Sequence, residues 1–164
     1  MPVQDPHSFA DPAVAVMTHL QLDLTVDFEK HKLHGTAAIR YQATPSSREL
    51  IVDTRGLTIH RVTSVGDTLH ELKYHLDAEV PFLGQALHIP LDALQGEILI
   101  EYTTSPDAAA LQWLLPQQTA GKKQPFLFSQ SQAILARTWA PVQDSPGIRF
   151  TYEARLKVPA DLMA

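Results

Sequence analysis

Apolar residues alternate with polar residues along several short stretches of this chain, and this period of two limits its fold more than any other feature. The clearest stretch, His19–Phe28, has its apolar residues at Leu20, Leu22, Leu24, Val26 and Phe28. Side chains two residues apart on a strand point to the same face, so this pattern predicts a half-buried strand. The segment Gly147–Val158 shows the same alternation and predicts a second amphipathic strand.

Further short strands are predicted between these two, because β-favouring runs are separated by turn-forming residues. The charged turn Glu29–His31 should join the first strand to an antiparallel partner, Leu33–Ala43. The other predicted strands are Leu50–Asp53, Leu57–Val65, Glu71–Leu76, Ala86–Ile89 and Glu97–Tyr102. Short helical turns are expected at Asp92–Leu94 and Asp107–Leu111, where an aspartate could cap the first turn.

The spacing of these strands defines the predicted fold class. A parallel sheet with crossover helices would need helical patterns of ten or more residues between strands, and the sequence has none. The prediction is therefore an all-β fold, built as a β-sandwich or as curved, saddle-like sheets that are mostly antiparallel, with long connecting loops. The longest connection is Thr103–Gln124, where the embedded Trp113 favours packing over disorder.

The 164 residues suffice for one domain with a substantial core. Residues 1–15 contain three prolines and no periodicity, so we expect an extended N-terminal arm that precedes a β-rich domain at residues 16–164. The domain's last strands are expected to lie beyond Ala164, so that an exposed sheet edge could promote self-association.

Charge and composition exclude several classes of function. The net charge is -5 and the 13 lysines and arginines are scattered, so no basic stripe exists for nucleic acid. The chain has no cysteine, which suits a reducing compartment. It has neither a secretory leader pattern nor an apolar run near the roughly 20 residues that span a membrane. The sequence therefore predicts a cytoplasmic protein without membrane segments.

A histidine pair resembles a metal-binding motif but has the wrong spacing. His70 and His75 are separated by five residues, whereas two histidines that bind one zinc from a helix are four apart. No metal site is therefore predicted in this chain. Phosphate-binding glycine loops and nucleophile-elbow motifs are also missing from the sequence, so no catalytic residue is predicted.

The segment Phe126–Ile134 carries the strongest candidate for a binding site. Gln130 and Gln132 are two residues apart, and on an extended chain both amides would project from one face. An amide oxygen can accept from an ammonium group while the amide nitrogen donates to a carbonyl, a combination that suits the first residue of a peptide. The alternative interpretation is ordinary polarity on a surface strand.

An ordered series of residues between Ala110 and Pro146 resembles the amino-terminal domain of the leukotriene A(4) hydrolase and aminopeptidase N family of zinc metallopeptidases. The residues that carry the resemblance are Ala110–Leu114, Pro116, Gln118, Thr119, Gly121, Lys122, Pro125–Ile134, Arg137, Pro141, Gln143, Asp144 and Pro146. Weaker matches at Gly35–Ala38 and Phe150–Tyr152 extend it across the chain. Leu135 and Val142 replace a histidine and a cysteine that are frequent in the family.

The resemblance implies a substrate-side domain of a zinc metallo-aminopeptidase. The zinc would be bound by a catalytic domain of the same polypeptide, so this chain alone would be inactive and would hold no cofactor. The resemblance also implies that Gln132 lines the cleft near the amino terminus of a peptide substrate, and that Gln130 and Ala133 line the same pocket. The alternative is a free-standing β-sandwich module that binds proteins or peptides without catalysis.

Overall fold

The computed structural model describes residues 5–66 and 68–164, and these residues form eleven strands and two short 3-10 helices. The strands are β1 (Ala15–Asp27), β2 (Lys32–Ala43), β3 (Glu49–Thr54), β4 (Thr58–Val65), β5 (His70–Glu71), β6 (His75–Leu76), β7 (Gln85–Pro90), β8 (Gln95–Thr103), β9 (Leu111–Leu114), β10 (Phe126–Ser129) and β11 (Thr151–Lys157). The 3-10 helices are Pro116–Gln118 and Ala136–Thr138. The predicted all-β class is confirmed. Within the described ranges, no helix is long and apolar enough to cross a membrane.

The strands form a large sheet, a small sheet and a separate hairpin. The large sheet has six strands in the order β11-β1-β2-β8-β4-β5, the small sheet has three in the order β3-β7-β6, and β9 pairs with β10. The predicted antiparallel hairpin of β1 and β2 is confirmed. Pairing of β11 with β1 is parallel, from His19 opposite Thr151 to Thr25 opposite Lys157. The other pairings between the described strands are antiparallel.

The hydrophobic core contains the inward-facing residues of both sheets. Alternate residues of β1 are buried, with Leu22 and Leu24 exposing 2% and 0% of their surface. In the small sheet, Leu50 of β3 and Leu87 of β7 are fully buried in the same cluster. Complete burial of such a side chain contributes roughly 1.5–3 kcal/mol. The period of two in the sequence therefore marks the residues that hold the two sheets together.

A glycine permits the close approach of the first two strands. Gly35 in β2 has a φ of 151° and lies opposite Leu24 of β1. A Cβ atom at this position would collide with the carbonyl oxygen of Asp23. Any larger residue would therefore push β2 away from β1 in the middle of the large sheet.

The predicted strand Glu71–Leu76 is wrong as a single element. β5 pairs with β4 in the large sheet, while β6 pairs with β7 in the small sheet. The chain crosses between the sheets here because Leu72 is buried and the Tyr74 hydroxyl donates to the Ile59 carbonyl at 3.0 Å. His70 and His75 consequently belong to different sheets.

The two predicted helical turns are also wrong. Residues 92–94 form bends, and separate turns lie at residues 106–107 and 109–110, without a helix. The Asp107 N–H instead donates to the Ser105 hydroxyl oxygen at 3.1 Å, which closes a local turn. The side chain that closes this turn belongs to Ser105 and not to Asp107, so an aspartate at this place in the sequence does not by itself predict a helical cap.

The beginning of the described chain packs against the small sheet. Ala10 is 1% exposed, and the Ser8 hydroxyl and the Phe9 N–H donate to the Asp53 carboxylate at 2.6 and 2.7 Å. Residues 1–4 of the predicted arm lie outside the described residues. The division between an arm at residues 1–15 and a domain at residues 16–164 stays a prediction.

A cluster of histidines and carboxylates lies on the small sheet. His88 of β7 contacts Asp77 through Nε2 and Glu49 through Nδ1, both at 3.1 Å, and His75 contacts Asp77 at 3.1 Å. Partial burial lowers the pKa of His88, but its hydrogen bonds to Asp77 and Glu49 outweigh this and the net pKa is raised. The hydrogen bond from His88 lowers the pKa of Asp77.

β11 forms an edge of the large sheet, and every one of its side chains is exposed. Tyr152 and Leu156 are 73% and 45% exposed, although they lie in register with the buried Leu20 and Leu24 of β1. The apolar face of the sheet therefore extends beyond the area that the small sheet covers.

Candidate functional site

Gln130, Gln132 and Ala133 follow β10 directly, and all three are exposed. The predicted extended segment Phe126–Ile134 is wrong in its second half, because β10 ends at Ser129 and residues 132–135 form a turn. The Gln132–Ala133 peptide bond is cis. The two glutamines are nevertheless neighbours, since the Gln132 N–H donates to Gln130 Oε1 at 2.9 Å. Residues 130–135 are called the glutamine loop below.

A buried alanine connects the two ends of the glutamine loop. Ala110 is fully buried, and its carbonyl accepts from the Gln130 N–H at 2.8 Å. Its own N–H donates at 3.1 Å to Thr138 Oγ1, which in turn donates to the Leu135 carbonyl at 2.7 Å. Inside the loop, the Leu135 N–H donates to the Ser131 carbonyl at 2.9 Å. The loop is therefore closed at its base by backbone and hydroxyl hydrogen bonds.

A tryptophan connects the loop to the large sheet. Trp139 donates its indole N–H to Ser131 Oγ at 3.0 Å, and its carbonyl accepts from the Tyr102 hydroxyl at 3.0 Å. Tyr102 of β8 is fully buried, and this burial raises the pKa of its phenol far above the ordinary value. The phenol is therefore a hydrogen-bond donor at every physiological pH.

A buried arginine lies two residues after the loop. Arg137 is 0% exposed and its guanidinium donates to the Asp144 carboxylate at 3.1 Å and to the Asp144 carbonyl at 2.9 Å. It also donates to the carbonyls of Leu83 at 3.0 Å and His7 at 2.8 Å. Asp53 lies 3.7 Å from the same guanidinium. One side chain thus joins the N-terminal segment, the β6–β7 connection and the segment after the glutamine loop.

The acids around Arg137 are themselves buried and hydrogen-bonded. Asp53 is 0% exposed and accepts from the Asp144 N–H at 2.8 Å, in addition to Ser8 and Phe9. Burial raises the pKa of Asp144, against the opposing effect of the hydrogen bonds from Arg137. We call Asp53, Arg137 and Asp144 the buried ionic cluster.

Gln143 extends this polar interior towards β1 and β3. Its side-chain oxygen accepts from the Met17 N–H at 2.9 Å, and its side-chain nitrogen donates to the carbonyls of Ala15 at 3.0 Å and Ile51 at 3.1 Å. Sequence reasoning assigned no role to Arg137, Gln143 or Asp144 beyond their part in the resemblance. In the sequence, these three residues are two charged side chains and one amide among apolar neighbours. Such a pattern does not reveal that the polar side chains are buried.

The β9–β10 hairpin that leads into the loop is packed on the turn between β1 and β2. Trp113 of β9 stacks on the His31 ring with centroids 5.1 Å apart and planes 12° apart. The Phe28 ring meets Trp113 edge-on at 5.4 Å. The prediction that Trp113 is packed is confirmed, and its packing fixes the start of the segment that carries Gln130.

The chemistry available at the glutamine loop is hydrogen bonding. From Phe126 to Ala136 the sequence contains no ionisable side chain, so the loop offers amide and hydroxyl groups but no general acid or base. Across residues 5–66 and 68–164, no group of three His, Cys, Asp or Glu side chains is arranged to hold a metal ion. The site is suited to holding a polar ligand in a fixed orientation.

Comparison with known proteins defines the class of this domain. The chain belongs to the Peptidase M1 N-terminal domain family, whose family model matches residues 16–164. The resemblance drawn from the sequence is therefore confirmed.

Individual proteins with similar sequences are leukotriene A-4 hydrolases and leucine aminopeptidases. The chain is similar to leukotriene A-4 hydrolase of Xenopus laevis, with 39% identity over 98% of this chain. Leucine aminopeptidase 2 of Sclerotinia sclerotiorum is 32% identical, also over 98% of the chain. The chain spans 27% of the length of each of these relatives.

Solved structures show the same architecture. The leukotriene A4 hydrolase of Saccharomyces cerevisiae superposes with a TM-score of 0.88 at 28% identity, over 96% of this chain and 26% of that one. An M1 zinc metallopeptidase of Deinococcus radiodurans superposes with a TM-score of 0.69 at 20% identity, over 90% of this chain and 33% of that one. The second match shows a shared fold.

Proposed function

We propose that this domain is the substrate-side domain of a zinc-dependent aminopeptidase and that its glutamine loop contacts the amino terminus of a peptide substrate. The observation that carries the proposal is a pair of exposed amides, Gln130 and Gln132, on a loop tied to the core at its base and in its middle. The names of the relatives, leukotriene A-4 hydrolase and leucine aminopeptidase, support an aminopeptidase.

The two amides are suited to different tasks. Gln130 Oε1 already accepts from the Gln132 N–H, so one of its two lone pairs is occupied, while the Gln130 amide nitrogen keeps both of its hydrogens for a ligand. Among the described residues, the side-chain amide of Gln132 makes no hydrogen bond, which leaves its oxygen to accept from an ammonium group and its nitrogen to donate to a carbonyl. The small Ala133 side chain beside it leaves space for the ligand.

The domain would contribute binding rather than reacting groups. Binding the amino terminus of the substrate lowers KM and raises kcat/KM without any proton transfer by the group that binds it. The chemistry that zinc supplies when bound, polarisation of the scissile carbonyl and activation of a water, would come from a catalytic domain of the same polypeptide. We accordingly expect the 164-residue chain alone to lack peptidase activity.

The test is Gln132→Ala in the polypeptide that includes the catalytic domain. The KM for aminoacyl substrates should rise by about two- to tenfold, the range for losing one neutral hydrogen bond. The matched control is Gln42→Ala, which removes an exposed amide from β2 in the large sheet. Steady-state kinetics with both variants decide the matter, and a KM for Gln132→Ala equal to that of the control would reject the role of Gln132.

A further inference from the structure

We propose that Trp139 is a positioning residue for the glutamine loop and that it acts through its indole N–H on Ser131. The inference rests on the proposed function, because it concerns how the two amides are held for the substrate. Ser131 lies between Gln130 and Gln132, so a contact that fixes Ser131 also fixes the backbone from which both amides project.

Trp139 is itself held on both sides of its backbone. Its N–H donates to the Ala136 carbonyl at 3.0 Å, and its carbonyl accepts from the hydroxyl of the buried Tyr102 at 3.0 Å. Its partly buried ring packs against the hydrophobic core. With the backbone and ring restrained, the indole N–H reaches Ser131 Oγ at 3.0 Å from a fixed direction.

This hydrogen bond differs from the other contacts of the loop. The bond from Gln130 to Ala110 fixes the first residue of the loop, and the bond from Leu135 to Ser131 lies within the loop. In the part of the chain that the structure describes, the Trp139 bond is the hydrogen bond that joins Ser131 to a residue outside the loop. It therefore restrains the middle of the loop, between the two glutamines, relative to the large sheet.

The expected kinetic effect follows from the nature of the contact. Without the indole donor, the loop between Gln130 and Leu135 would sample more conformations, and the substrate would have to order it on binding. Amides that contact an unreacting amino terminus bind the ground state and the transition state alike. Loosening them should therefore raise KM and leave kcat unchanged.

The test uses Ser131→Ala and Trp139→Phe in the polypeptide that includes the catalytic domain. Each should raise KM by about two- to tenfold with kcat unchanged, since each removes the same neutral hydrogen bond. The double variant should be no worse than the more impaired single variant, because both changes remove one shared interaction. Ser131→Thr keeps the hydroxyl and should restore a KM near that of the wild type.

Ser129→Ala is the matched control, because Ser129 is an exposed serine at the end of β10, and its KM should equal that of the wild type. Additive effects in the double variant, or a fall in kcat with an unchanged KM, would overturn the positioning role. If Gln132→Ala raises KM while Ser131→Ala and Trp139→Phe do not, the positioning inference is wrong and the proposed function stands. If Gln132→Ala leaves KM unchanged, the proposed function is wrong.

A second measurement tests the hydrogen bond without reference to activity. The 164-residue chain contains two tryptophans, so its NMR spectrum should show two indole N–H signals, and Trp139→Phe identifies the one from Trp139. Ser131→Ala should speed hydrogen exchange of that signal and leave the Trp113 signal unchanged. Equal exchange rates of the Trp139 indole in the wild type and Ser131→Ala would show that the bond does not form.

Discussion

Replacing Arg137 with methionine should lower the free energy of unfolding by about 3–5 kcal/mol, the cost of removing one partner from a buried ion pair. Methionine retains much of the apolar stem but removes the guanidinium, which is 0% exposed and makes four side-chain hydrogen bonds, to Asp144, Leu83 and His7. The change therefore isolates the polar contribution of the side chain from most of its packing.

The magnitude follows from the groups left behind. The carboxylate of Asp144 and the carbonyls of Asp144, Leu83 and His7 each lose a charged donor in a part-buried place, where loss of such a hydrogen bond costs about 1–3 kcal/mol before water replaces it. Asp53, also 0% exposed, loses the cation that lies 3.7 Å away. Partial entry of water reduces the total, which leaves about 3–5 kcal/mol out of the roughly 5–15 kcal/mol that stabilises a domain of this kind.

Urea unfolding followed by tryptophan fluorescence measures the loss directly. The control is Arg40→Met, because Arg40 is 59% exposed in its pair with Glu97 and such surface pairs contribute about 0–1 kcal/mol. Arg137→Lys keeps the charge but cannot reach all the acceptors, so it should fall between the wild type and Arg137→Met. A loss for Arg137→Met no larger than that for Arg40→Met would refute the assigned role of the buried ionic cluster.

Two further predictions concern the surface of the domain. The pKa of His88 is raised on folding, so its stabilising effect is complete below its ordinary pKa of 6.5 and is lost as the pH rises through the folded pKa. The pKa of Asp77 is lowered on folding, so its stabilising effect is complete above its ordinary pKa of 3.8 and is lost as the pH falls through the folded pKa. The stability difference between wild type and His88→Gln, from urea midpoints, should therefore be largest between about pH 4 and 6.5, and a constant difference from pH 4 to 8 would contradict this. The 164-residue chain should self-associate through β11, since antiparallel pairing of two copies about Ala154 places Glu153 opposite Arg155. Arg155→Glu should weaken the association in sedimentation experiments, and a monomeric wild type at all concentrations would exclude it.

The alternating pattern was sufficient to predict the hairpin of β1 and β2 and to identify β11 as a strand. Leu22 and Leu24 are recognisable as core residues because the polar residues between them leave one apolar face, and the structure buries that face. The hairpin of β1 and β2 follows from two such runs joined by a short charged turn. Local sequence determines these elements, because both the strands and their connection are encoded within about thirty consecutive residues.

Features that depend on distant parts of the chain were not predictable. The parallel pairing of β11 with β1 joins residues more than a hundred positions apart, and no local pattern distinguishes it from antiparallel pairing. The crossing between sheets at Glu71–Leu76 likewise depends on where β4 and β7 already lie. Two-residue strands carry too little pattern to mark such a change of partner.

The candidate site was predictable in composition but not in shape. Gln130 and Gln132 are identifiable from their amide chemistry and from the resemblance, and both are exposed as a binding role requires. The turn at residues 132–135 and the hydrogen bond from Trp139 to Ser131 depend on contacts across the fold. The sequence from Phe126 to Ile134 looks like one continuous strand, so it does not indicate the turn at residues 132–135.

The parallel pairing of β1 with β11 affects how the chain can fold during synthesis. β1 leaves the ribosome more than a hundred residues before one of its neighbours, residues 151–157. Until that segment emerges, the His19–Thr25 edge of β1 exposes unpaired backbone groups on the nascent chain. Because such long-range pairing is slow to form, this interval is when a chaperone would be most useful to the growing polypeptide.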